Sequence, residues 1–253
     1  MNCDIFIPIR LDSKRLPHKH LKEIDGKPIL HYLLERLHNT KQIRNIIVCT
    51  TARKVDDPLI EFLTKEGVKF FRGNTDDILA RYLSASNEFN TDIIIDVGGD
   101  DVYTDPLYVD KIASVLKNTT TEYVEGVGFP HGLVPAGFKT KSLRLLCEIK
   151  KTSNTEHGYR FFFKQNKIFT SKFITPDSNL KIPKNIRLTL DYQEDFDLAK
   201  ILFKLLGNRF HLEDILQLIQ DKPEILKTMS IIENKWKKNF TKKMVNYSLD
   251  DKK

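Results

Sequence analysis

Cysteine is scarce in this chain. Cys3, Cys49 and Cys147 are odd in number and far apart, which suits neither a disulfide framework nor a zinc site. No apolar run approaches the roughly 20 residues of a membrane span. The N-terminus MNCDIFIPIR carries an acidic residue and no basic segment ahead of its apolar stretch, unlike a secretory signal. A cytoplasmic protein with no membrane partner is the expectation. No GxxxxGKS/T loop is present, and no GxGxxG, which argues against a Walker-type phosphate loop and a dinucleotide oxidoreductase. Neither a Ser-His-Asp nor a Cys-His arrangement stands out. Internal repeats and low-complexity linkers are absent, as are helix-turn-helix, zinc-finger and RNP signatures.

What remains is a 253-residue chain, 40% hydrophobic and 30% charged, a size and composition suited to one large α/β domain with a small embellishment. The net charge of +7 raises the possibility of a nucleic-acid partner. Residues 233–253 hold seven Lys against Glu233, Asp250 and Asp251, leaving only +3 for the rest. That distribution predicts a domain over 1–232 and a solvated basic tail over 233–253, with no nucleic acid expected.

Short β-rich runs alternate with helical patterns. DIFIPI (4–9) reads as a strand buried on both faces, because its apolar residues are nearly continuous. Further strands are predicted at 45–50, 68–71 and 92–97. Between them come helical patterns: one opened by Pro28, one stopped by Gly67, and one over 76–89. This order predicts a Rossmann-like α/β fold with a mostly parallel sheet. Residues 129–180 are expected to form an inserted lobe, with a hairpin over YRFFFKQNKIFTSKF, and NIRLTLD (185–191) to return as a buried strand.

In an open parallel sheet, ligands bind beyond the carboxyl ends of the strands. After the first strand comes a basic loop, Arg10 to Lys19. After 92–97 comes Gly98, Gly99, Asp100 and Asp101, and after NIRLTL comes Asp191. Basic side chains, a glycine turn and carboxylates on one edge suit a polyphosphate and a divalent cation. Taken singly, the same residues also suit a solvated loop, a tight turn and a helix cap.

The stretch IPIRLDSKRLPHKHLKEIDGKPILHYLLERL resembles the opening of the sugar-acid cytidylyltransferases, I-P-A-R-x-x-S-x-R-L-P-x-K-x-L-x-x-I-x-G-K-P. FRGNTDDILARYLSA followed by DIIIDVGGDDVYTDPLYVD looks most like the spore-coat-polysaccharide type, and IRLTLDYQEDFDLAKIL resembles the family's late strand and helix. The resemblance implies the nucleotide-diphospho-sugar transferase fold. It also implies transfer of CMP from CTP to an acceptor, usually a sugar acid, releasing pyrophosphate with Mg²⁺, for surface glycan synthesis. By position it implies that Pro8, Ile9, Arg10, Ser13, Arg15, Lys19 and Gly99 bind the nucleotide, with Arg10 and Lys19 catalytic. Arg72, Gly73 and Asp77 would border the nucleoside, and Asp100 and Asp191 would hold the metal. Asp96, Glu156 and His157 would face the acceptor. A homodimer through 129–180 is also in keeping with the family.

Three positions depart from the pattern. Asp96 stands where the family usually has Arg, Val102 where it has Pro, and Thr155 where the spore-coat type has the Arg of R-E-H. These departures bear on the acceptor, which could be an octulosonic or nonulosonic acid, a phosphonate or a polyol phosphate. A non-catalytic nucleotide-binding scaffold of the same fold is the alternative from another class.

Overall fold

The computed structural model describes residues 1–155, 158–165 and 168–244. The first half of the chain runs β1 (Cys3–Pro8), β2 (Glu23–Ile24), β3 (Lys27–Pro28), α1 (Ile29–Leu37), β4 (Asn45–Thr51), α2 (Asp57–Lys65), β5 (Lys69–Gly73), α3 (Ile78–Phe89), β6 (Ile93–Asp96) and α4 (Pro106–Asn118). The second half adds β7 (Tyr123–Gly126), β8 (Ala136–Lys139), α5 (Thr140–Ile149), α6 (Arg160–Gln165), β9 (Ser171–Ile174), α7 (Gln193–Leu206), α8 (Leu212–Asp221) and α9 (Pro223–Met244). Seven strands form one sheet in the order β5-β4-β1-β6-β8-β7-β9. β5, β4, β1 and β6 are parallel, as are β7 and β9, while β8 is antiparallel to both its neighbours. β2 and β3 pair separately.

The unbroken apolar run of the first strand follows from burial on two faces. Ile5 and Ile7 pack with Leu30, Leu33, Val109 and Ile112 of α1 and α4. Phe6, with Ile47 and Cys49 of β4, turns to the opposite face against Leu79, Tyr82 and Leu146. A third cluster lies beyond the sheet. There Tyr103, Leu188, Leu190 and Phe196 join residues of α7, α8 and α9, including Leu202, Leu216 and Met229. Asp77 caps α3 and Asp105 caps α4, each accepting from a backbone N–H of the first turn (3.1 Å from Ala80, 3.0 Å from Leu107). Among the described residues no helix is long and apolar enough to cross a membrane.

The thiols carry a simple chemical consequence. Burial pushes Cys3 up to about 12, Cys147 up to about 11, and Cys49 higher still. Iodoacetamide at about pH 8 should therefore leave all three largely unmodified in the folded chain and alkylate them after denaturation, as read by mass spectrometry.

Four expectations are corrected. Residues 129–180 are not an insertion, because β8 lies inside the sheet between β6 and β7 and β9 forms its edge. The expected hairpin at 159–173 is helix α6 followed by β9. Its aromatic run mimics a strand, but Phe163 is the buried member while Phe161 faces outward. Within 185–191, residues 186–191 are buried without joining the sheet, making one isolated bridge from Arg187 to His131. Leu188 N–H donates to the His131 carbonyl (2.8 Å) and Leu190 N–H to the Asp100 carbonyl (2.9 Å), so loops satisfy this backbone. Finally, α9 continues through residue 233, so no tail begins there. Glu233 is buried against Arg187, and Lys235 Nζ lies 2.6 Å from Glu194 Oε1. Residues 245–253, the rest of the expected tail, lie outside the described residues.

Candidate active site

The carboxyl end of β1 leads into the basic loop, which returns through a short 3₁₀ turn at Lys19–Leu21. Against it stands the turn 98–101, closed by Asp101 N–H donating to the Gly98 carbonyl (3.0 Å). Glycine is required at 99 by close approach. A Cβ there would stand 2.5 Å from Ile9 Cγ1 and 3.0 Å from the Pro8 carbonyl oxygen. The third side is 187–191, tied to Asp100 through Leu190. Thus a buried segment outside the sheet, rather than a sheet strand, delivers Asp191 to the carboxyl edge.

Lys19 is the centre of this arrangement. Its side chain is only 7% exposed and its Nζ donates to the Leu190 carbonyl (2.8 Å). The same ammonium ion-pairs with Asp100 Oδ2 and lies 3.9 Å from Asp191 Oδ1. His20 Nε2 is 2.9 Å from the other Asp100 oxygen. Burial opposes ionisation of Asp100, but Lys19 and His20 overcome it and hold the carboxyl far below its ordinary value. His20 is itself pushed down by burial, against the pull of Asp100, and its Nδ1 is buried without a hydrogen-bond partner among the described residues.

Asp191 is equally engaged. Arg15 Nη2 pairs with Oδ1, and Arg187 Nη2 pairs with Oδ2 at 2.6 Å. Arg187, whose side chain is fully buried, also reaches Asp195 Oδ1 (3.1 Å) and Glu233 Oε2 (3.2 Å). Asp195 in turn accepts from the N–H groups of Asp191 and Tyr192 at the start of α7. Burial raises the Asp195 carboxyl, with Arg187 pulling the other way. This lattice fixes where Asp191 stands.

The remaining predicted residues divide. Arg10 Nε is 3.4 Å from Asp12 Oδ1, and Arg53 Nη1 is 2.6 Å from Asp12 Oδ2, so Arg53 joins the basic loop. Pro8 and Ile9 form the floor beneath Gly99, with the Ile9 side chain in the core. Ser13 Oγ accepts from Leu16 N–H (3.3 Å) and shapes the loop. Arg72 and Gly73 lie at the end of β5, two strands from β1. Arg72 donates to the carbonyls of Thr51 (3.0 Å) and Arg53 (2.8 Å), supporting the turn that carries Arg53. Asp77 is buried and used as the α3 cap, and its second oxygen pairs with Lys150. Asp96 is fully buried and accepts from Tyr82 OH (2.7 Å), Tyr159 OH (2.7 Å) and Arg160 Nε (2.8 Å). It therefore cannot touch an acceptor, a correction to its expected role. Glu156 and His157 lie outside the described residues. Sequence reasoning missed His20, Arg53, Arg160, Arg187 and Asp195.

Two carboxylates sharing one ammonium mark a point where positive charge is stabilised. Their oxygen-only donor set suits a hard divalent cation such as Mg²⁺ held jointly with substrate phosphates. Among the described residues no group of three or more His, Cys, Asp or Glu forms a preassembled cage.

Comparison with known proteins gives this geometry a context. A family model described as cytidylyltransferase matches residues 5–227. An uncharacterized protein of Methanocaldococcus jannaschii is 33% identical over 76% of this chain and 79% of its own length. Spore coat polysaccharide biosynthesis protein SpsF of Bacillus subtilis is 25% identical over 83% of this chain and 90% of its own. An 8-amino-3,8-dideoxy-manno-octulosonate cytidylyltransferase of Shewanella pealeana is 27% identical over 49% of this chain and 51% of its own. Among solved structures, a cytidylyltransferase from Leptospira borgpetersenii superposes with a TM-score of 0.82 at 29% identity, covering 89% of this chain and 97% of that one.

Proposed function

The chain belongs to the cytidylyltransferase family and is a nucleotidyltransferase; from that premise we propose that it transfers CMP from CTP to a sugar acid and releases pyrophosphate. The relatives named for octulosonate transfer and spore coat polysaccharide support a sugar-acid acceptor and a product destined for glycan assembly. The observation that carries the reading is Lys19, buried between Asp100 and Asp191 at the mouth of the basic loop.

In this reading the acceptor hydroxyl oxygen bonds to the α-phosphorus of CTP as the bond from that phosphorus to pyrophosphate breaks. The hydroxyl proton passes to solvent, and no covalent enzyme intermediate forms. Arg10, Arg15 and Lys19 meet the negative charge that grows on the α-phosphate and the leaving group. Each is paired with a carboxylate in the free chain, so phosphate binding exchanges one anionic partner for another. The cations are thereby kept oriented without being left bare. Asp100 and Asp191 would hold Mg²⁺, which when bound supplies charge neutralisation to the triphosphate.

The test is pyrophosphate release from CTP, ATP, GTP and UTP across a panel of sugar acids, phosphonates and polyol phosphates. Release is expected with CTP and a sugar acid, and is expected to disappear in Asp100→Ala and Asp191→Ala. Full activity in either variant would remove the metal assignment, and CTP binding without turnover on any acceptor would contradict transfer.

A further inference from the structure

Arg160 lies at the carboxyl end of β6, the strand that pairs with β1. β6 sits between β1, which feeds the basic loop, and β8, and Asp96 ends β6 only four residues before Asp100. Arg160, the first residue of α6, is locked onto this strand end: Nε donates to Asp96 Oδ2 (2.8 Å) and Nη2 to the Asp96 carbonyl (3.1 Å). Tyr159 donates to the same carboxylate oxygen and Tyr82 to the other, both at 2.7 Å. Burial, reinforced by Asp96, keeps both phenols protonated as donors.

The pair is asymmetric in exposure. The Asp96 side chain is fully buried, whereas that of Arg160 remains 32% exposed. An arginine needed only to neutralise a buried carboxylate has no use for an open edge. Here Nη1 makes no hydrogen bond to protein among the described residues. Burial works against the Arg160 charge, and its neighbours, led by Asp96 and including Asp101 of the site turn, together more than offset it. A guanidinium oriented by buried partners, open on one edge and electrostatically linked to Asp101 of the site turn is built for a planar anion, since its fork matches a carboxylate.

We propose that Arg160 sets acceptor specificity: its open guanidinium edge receives the carboxylate of the sugar acid, while Asp96, Tyr82 and Tyr159 fix its orientation. This rests on the transfer reading above and adds the group that selects an acid over an uncharged sugar. Because Asp96 already balances the charge, the selection comes from directional hydrogen bonds rather than from a bare cation. An ester of the same sugar, which cannot present two equivalent anionic oxygens, should be a poor acceptor.

The experiment compares 3-deoxy-manno-octulosonate and N-acetylneuraminate with their methyl esters, using the full chain, saturating CTP and Mg²⁺. Wild type is expected to prefer the acid. Arg160→Ala is expected to raise the KM for that acid about 10- to 100-fold and erase the acid-over-ester preference. The KM for CTP should stay within about twofold, since the nucleotide side is untouched. If the alanine variant is unstable to heat, Arg160→Lys carries the test. It keeps the charge but not the fork, and should lose most of the same preference. An unchanged acid preference in either variant, or a KM for CTP that rises in step with that for the acceptor, overturns the inference while leaving transfer intact. Equal use of acid and ester by wild type overturns it as well. No pyrophosphate from any of these acceptors overturns both this inference and the reading beneath it.

Discussion

Replacing Lys19 with alanine is expected to lower kcat for pyrophosphate release by about 10²–10³, the usual effect of removing one preorganised charge from a developing anion. Two consequences of the geometry set this size. The ammonium is lost from the point where the triphosphate gathers charge, and Asp100 and Asp191 are left facing each other with less positive charge between them. Lys19→Arg should not restore the rate. The site holds a compact point charge fixed by the Leu190 carbonyl (2.8 Å), and a planar fork does not fit that position. Steady-state kinetics alongside thermal unfolding separates this outcome from simple misfolding. A variant that is folded and retains near wild-type kcat would remove Lys19 from the reaction.

The largest stability effect is expected at Arg187. Its side chain is fully buried and divides its donors among Asp191, Asp195 and Glu233. Truncation to alanine leaves buried carboxylates uncompensated, at a cost of roughly 3–5 kcal/mol. For a chain of this size that is a fall in Tm of about 10 °C. Because Glu233 belongs to α9 and Asp191 to the site, the same truncation should also loosen the packing of α9 and weaken nucleotide binding. Arg187→Lys should recover only part of the stability, since an ammonium cannot serve three acceptors in the same fork. Thermal unfolding that is unchanged in Arg187→Ala would show that the lattice contributes little.

The two predictions also mark what could be read from the linear chain. The parallel core was legible because both faces of β1 and β4 are buried and leave nearly continuous apolar runs. Strands at 4–9, 45–50, 68–71 and 92–97 correspond to β1, β4, β5 and β6 within one or two residues. The basic loop, Gly99, Asp100 and Asp191 could be assigned to one edge because each follows a buried segment. That inference survives even though 185–191 joins no sheet. A segment satisfied by loop carbonyls carries the same apolar pattern as a strand, and no local signal separates them. Residues 129–180 misled for the opposite reason. β8 contains Gly137, which packs against Ile112 and Leu116 with no room for a side chain, so its few apolar residues look weak for a central strand. Arg187, Glu233 and Arg160 were illegible because their roles depend on partners four to 64 positions away. Their charges read as ordinary surface until the fold buries them.

The central claim is the joining of CMP to an acid acceptor, and product analysis by mass spectrometry tests it most directly. With CTP, Mg²⁺ and 3-deoxy-manno-octulosonate, the account predicts a single new species: the acceptor plus CMP less water, in step with pyrophosphate. Free CMP and pyrophosphate, with the acceptor recovered unchanged, would contradict it.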